Sequence, residues 1–150
     1  MAKFFYRMQN ILNIKYKLED QAKQEYSRIR LRLMNEQEKL DCLCIRKEQY
    51  FEEYRSLLSN SLNVLEIEQC RASILTMDSF IAEQRKRVAQ IEYELEQARI
   101  KLNEIMKERK IHEKLKEHQF EEFLQEINDE EKKEIDQLVS YQYNQPFKEE

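Results

Sequence analysis

Apolar residues recur along this chain at alternating spacings of three and four. From Phe5 the series reads Phe5, Met8, Leu12, Lys15, Glu19, Ala22, Tyr26 and Ile29. It continues through Leu33, Glu36, Leu40, Leu43, Lys47, Tyr50, Tyr54 and Leu57, and twelve of the sixteen positions are apolar. A second series runs Ile67, Cys70, Ile74, Met77, Ile81, Gln84, Val88, Ile91, Leu95, Ala98, Leu102 and Ile105, with eleven of twelve apolar. Heptad patterning of this kind predicts helices packed along a seam. The two series do not share a register, because the first, carried past Leu57, falls on Ser61, Val64, Arg71 and Asp78. Between them lies SNSLN, a cluster of small polar residues that compete with helical hydrogen bonding. Asn63 followed by Glu66 fits a variant capping box, a helix start signal. The pattern therefore predicts one coiled-coil domain, residues 1–150. Helix 1 covers about 3–59, the tip about 60–63, helix 2 about 64–139, and a flexible tail 140–150. One uninterrupted helix with a register skip is the competing reading.

Two helices joined by a short loop pack antiparallel. At a rise of ~1.5 Å per residue, helix 1 is about 85 Å long and helix 2 about 115 Å. Folding about the tip sets Phe4 opposite residue ~119, so helix 2 is expected to outrun helix 1. Phe120, Phe123, Leu124 and Ile127 in this overhang fall at i, i+3, i+4, i+7, one apolar helical face. Ile135, Leu138 and Val139 resume that face after an acidic break. Helix 1 is not expected to reach the stripe. A partner, a second copy or a chain end folded back is left to bury it, and a frayed tail is the bland alternative.

Composition supports an all-α reading. The chain has no glycine, and its single proline is Pro146. Ala, Glu, Lys, Leu and Arg make up 73 of the 150 residues, as in long helices and coiled coils. The net charge of −4 is unevenly spread: +3 over residues 1–58, zero over 59–110 and −7 over 111–150. No dense basic patch suggests nucleic acid. Three cysteines without framework spacing suit a reducing cytosol. No apolar run approaches the ~20 residues of a membrane span, and the start lacks the unbroken apolar stretch of a signal peptide.

The residues offer little chemistry. Cys42 and Cys44 stand two apart, so on a helix they point about 200° away from each other and cannot share an ion or a disulfide. His112 and His118 are six apart, where a zincin helix needs four. Without glycine there is no phosphate-cradling loop, and a two-helix hairpin has no cleft to desolvate paired carboxylates. Arg85, Lys86 and Arg87 read as a solvated face. No catalytic residue, cofactor, metal or small-molecule substrate is expected.

The order of several short motifs resembles the flagellar export protein FliJ family over nearly the whole chain. An aromatic-rich start leads into a helix as FFYRMQNILNIKYKLEDQAKQEYS. A Tyr-x-x-x-Tyr pair precedes the tip in YFEEYRSLL, and an aromatic follows it in MDSFIAEQ. Near the end, EEKKEIDQLVSYQY matches a lysine-rich run into an apolar-Asp signature and a tyrosine. The resemblance implies a hairpin similar to the coiled-coil stalk of rotary ATPase γ subunits. It implies a cytoplasmic, non-enzymatic part of the type III export apparatus, peripheral at the inner membrane. As partners it implies the hexameric export ATPase FliI, the export gate protein FlhA and export chaperones. Carried over by position, Tyr50, Tyr54 and Phe80 would face the gate. The overhang residues Phe120, Phe123, Leu124, Ile127 and Leu138 would meet the ATPase. Gln84 and Arg87 depart from the small or apolar residues of the family's gate surface, and Gln137 replaces its acidic residue after Asp136.

Two other classes fit the same residues. One is a generic structural coiled-coil tether or homodimeric spacer, with the overhang used for self-association. The other is a membrane-surface protein that lays down Phe4, Phe5, Met8, Ile11 and Leu12.

Overall fold

The computed structural model describes residues 3–60 and 63–144. Over these the fold is all-α. Helix α1, Gln9–Ser59, and helix α2, Val64–Asn144, pack against each other as an antiparallel coiled-coil hairpin. Residues 61 and 62 of the expected tip, and 145–150 of the expected tail, lie outside the described residues. The hairpin comprises two packed units. A tip unit runs Glu19–Glu104, and a terminal unit joins the chain up to Leu18 with the chain from Ile105 onward.

Local signals account for the helix ends beside the tip. The Ser59 hydroxyl donates to the Ser56 carbonyl at 3.1 Å, and the Asn60 amide donates to the same oxygen at 3.1 Å. These bonds satisfy a carbonyl that the last turn would otherwise leave open. At the start of α2, the Leu65 amide donates to Asn63 Oδ1 at 3.2 Å, and the Ile67 amide to the Asn63 carbonyl at 3.1 Å. Asn63 is the N-cap, and Glu66 places a negative charge in the first turn, where the helix dipole favours it.

In the tip unit the seam forms as the spacing predicts. Every series position from Glu19 to Leu57 and from Ile67 to Leu102 is buried or half-buried. Ala22, Cys70, Ile74, Met77, Ile81, Val88, Ile91 and Ala98 are its core. Full burial contributes about 1.5–3 kcal/mol for each of its isoleucines, its methionine and its valine, which makes the seam the main source of stability. Its polar positions are matched across the pair. The Gln84 amide donates to the Glu36 carbonyl at 2.9 Å and to the Glu36 carboxylate at 2.6 Å. Lys47 pairs with Asp78 and lies 5.8 Å from the centre of the Phe51 ring. Arg32 meets Glu94 at 2.7 Å.

The terminal unit departs from the periodicity at its start. Helix α1 begins at Gln9, not near residue 3. Residues 3–6 form no helix, and Arg7 and Met8 make a turn in which the Gln9 amide donates to the Tyr6 carbonyl at 3.2 Å. Side chains alternate in this strap: Phe4 is half-buried, Phe5 is 82% exposed and Tyr6 only 4% exposed. This alternation departs from the helical period of three and four. Phe5 and Met8 leave the seam, and Tyr6 is buried, as is Leu12.

The Tyr6 hydroxyl is buried with no hydrogen-bond partner among the described residues. A phenol in that position forfeits its hydration. Tyr6→Phe should therefore raise stability by about 1 kcal/mol, read as a higher urea midpoint with unchanged slope. A lower midpoint would show that the hydroxyl is engaged.

At the other terminus α2 continues five residues beyond the expected Val139, to Asn144. Neither glycine nor proline occurs before Pro146 to stop it. All residues from Asn128 to Asn144 are exposed.

Candidate partner-binding surfaces

The first surface is the α2 stripe in the terminal unit. Phe123 and Ile127 are half-buried, whereas Phe120 and Leu124 are exposed on the same side of the helix. The expectation that the N-terminal arm falls short of this stripe is corrected: Phe4 reaches it. The Phe4 ring lies 5.1 Å from Phe120 in an edge-to-face arrangement and 5.4 Å from Phe123. Both spacings suit attractive aromatic pairing. Farther along, Ile135, Leu138 and Val139 are exposed, Leu138 by 63%. Tyr141 and Tyr143 are exposed as well.

Beneath the stripe the unit is held by side chains that sequence spacing did not pair. Lys15 donates to Glu108 at 2.8 Å, and the Tyr16 hydroxyl donates to Glu113, which also accepts from Arg109 at 2.9 Å. Lys15 holds Glu108 below the usual carboxylate range, through its hydrogen bond first and its charge second. The Tyr16 hydrogen bond does the same for Glu113, with Arg109 assisting against the cost of burial. In the tip unit the Gln84 amide, then Lys39, lowers Glu36.

These shifts set the acid response. A carboxylate with a depressed folded pKa contributes stability that is fully present above its unfolded value. That contribution is lost as pH falls toward the folded value. Melting temperature should thus hold from neutrality down to near the ordinary glutamate value of 4.5 and decline below it. Replacing Glu36, Glu108 and Glu113 together by glutamine should flatten that decline. An equally steep fall in the triple variant would assign the acid sensitivity elsewhere.

The second surface lies in the tip unit. Tyr50 and Tyr54 are half-buried seam residues, while Phe80, one step off the seam, is 47% exposed. The structure thus gives the three different settings: two side chains pack and one is presented. The Cys70 thiol donates to the Tyr50 carbonyl at 3.3 Å, and burial, followed by nearby Glu53, pushes that thiol upward. Cys42 is exposed and Cys44 half-buried, and all three cysteines are free. Among the described residues no group of three metal-ligating side chains comes together. Among them, too, no helix is long and apolar enough to cross a membrane.

The fold and its open apolar faces define an antiparallel coiled-coil hairpin with unpartnered surface on α2. Residues 4–148 match the family described as Flagellar FliJ protein. The chain belongs to that family and is a component of flagellar type III export. Among solved structures it is similar to one described as a YscO homolog, CT670, from Chlamydia trachomatis. The two share 24% identity and a TM-score of 0.55, over 94% of this chain and 96% of the other. That likeness concerns the fold. No curated protein matches by sequence.

Proposed function

We propose that this chain is a non-enzymatic coupling factor of the export apparatus, acting in the cytoplasm at the inner face of the membrane. One surface binds the hexameric export ATPase (FliI-like) and promotes its assembly and activity. Phe120, Phe123, Leu124, Ile127 and Leu138 carry that contact. A second surface, with Tyr50, Tyr54 and Phe80, engages the export gate protein (FlhA-like), and the same protein escorts export chaperones.

The observation that supports this reading most directly is the exposed α2 extension. Ile135, Leu138 and Val139 form an apolar set that no other segment of the described chain covers. A helix with such a set is suited to insertion into an apolar groove of a partner. Membership in the family names the apparatus to which that partner belongs. Within the tip unit, the exposure of Phe80 supports its use as an anchor for a second partner, while Tyr50 and Tyr54 are half-buried on the seam.

The test is ATP hydrolysis by the purified cognate export ATPase, titrated with the full chain. A saturable rise in rate supports the reading. No rise from folded protein refutes it and leaves a structural tether, which sedimentation equilibrium would then examine for self-association.

A further inference from the structure

We infer that the N-terminal strap, residues 3–8, is a displaceable cover on the apolar stripe of α2, closed in this structure by Phe4 on Phe120 and Phe123. The inference takes its partner from the proposed ATPase contact and adds the regulation of that same surface.

The strap is held in place by packing and by little else. The hydrogen bonds that tie it to the chain are local, from the Gln9 amide to the Tyr6 carbonyl and from the Leu12 amide to the Met8 carbonyl. Its anchors are two inward side chains, Phe4 and Tyr6, and the second sits with its hydroxyl unsatisfied. A non-helical segment whose backbone bonds are all local, and whose most buried anchor is left unsatisfied, is expected to open before the helices beneath it.

The junction with α1 permits that movement. No acidic residue occupies the first turn of α1, and Met8, whose carbonyl opens the helix, has no side-chain oxygen to cap it. The helical period of the sequence runs on through Met8 and Phe5 without a proline or glycine to break it. Residues 3–8 therefore have two compatible states. In one they are non-helical and seated on α2; in the other they are released and free to continue α1. Release uncovers Phe120 and Phe123 beside Leu124 and Ile127, turning a half-covered stripe into a continuous face.

A partner that needs the whole stripe meets the strap as an internal competitor. Its apparent affinity falls by the fraction of time the stripe is open; a strap closed about nine-tenths of the time weakens binding about tenfold.

Phe4→Ala in the full chain removes the side chain that covers Phe120 and Phe123 and tests the inference at two levels. The first needs no partner. The Gln9 amide, which bonds to the strap at the Tyr6 carbonyl, should exchange faster in the variant while the amides of Glu113–Ile127 keep their protection. Fluorescence of an apolar dye such as bis-ANS should rise, and adding Phe120→Ser and Phe123→Ser should cancel the rise. If strap amides and α2 amides instead exchange together in the wild-type chain, the strap is a fixed part of the unit and the inference fails. The second level is ATPase binding, where Phe4→Ala should tighten the complex about three- to tenfold. Weaker binding would make Phe4 part of the contact and overturn the competitive role. Failure of every form to bind would remove the proposed partner, and with it the competition, whatever the exchange and dye results say about opening.

Discussion

Replacing Leu12 by alanine should destabilise the terminal unit by about 2–5 kcal/mol, the range for truncating a fully enclosed leucine. Leu12 is 1% exposed, the most enclosed large side chain among the described residues. Its unit has few others to share the load: among its described residues only Tyr6 is also fully in the core, while Ile105, Met106, Arg109 and His112 on α2 are half-buried. The ion pair between Lys15 and Glu108 spans the same helices, but its carboxylate is exposed to solvent, and exposed pairs contribute about 0–1 kcal/mol. Packing at Leu12 thus outweighs the charges around it. The measurement is native-state hydrogen exchange, comparing Ile105–Lys116 with Ile74–Ile91. Protection should collapse in the first segment and persist in the second. Equal loss in both would show that the hairpin opens as a single cooperative body. No loss in either would mean that the site collapses around the smaller side chain.

The seam was legible because its signal is repeated. An apolar residue every three or four positions survives the occasional lysine or glutamate, and both registers reappear as buried or half-buried rows. The helix starts and stops beside the tip were legible for a different reason. Asn63 and Ser59 act on their own neighbouring backbone, so their effect needs no tertiary information.

The strap was hidden by the same periodicity. Phe5 and Met8 extend the heptads, and nothing local forbids helix there. The choice is made where Phe4 finds apolar surface on a segment more than a hundred residues away, and propensity yields to such contacts. The polar seam positions show the same limit. Glu36 and Gln84 look like defects when each helix is read alone and become a bonded pair only once the antiparallel register is known. At the second candidate surface the sequence already set Phe80 off the seam and the tyrosines on it, and the structure has the same arrangement.

Serine at Phe123, Leu124 and Leu138 together should abolish most of the stimulation of the export ATPase, a loss of tenfold or more, while helix content stays near that of the parent. The two outer residues are exposed, so removing them costs the isolated hairpin little; Phe123 is half-buried and its loss also frees Phe4. In a bound partner all three would be enclosed. Burial of side chains this size contributes about 1.5–3 kcal/mol each, so losing the set exceeds the 1.4 kcal/mol that separates tenfold steps in affinity. Leu124→Ser with Leu138→Ser serves as the control, because it leaves Phe4 seated on both phenylalanines. If the double variant keeps full stimulation and the triple loses it, the contact lies at Phe123 under the strap. If both keep it with circular dichroism unchanged, the stripe is not the ATPase surface, and the exposed face of α2 serves another partner.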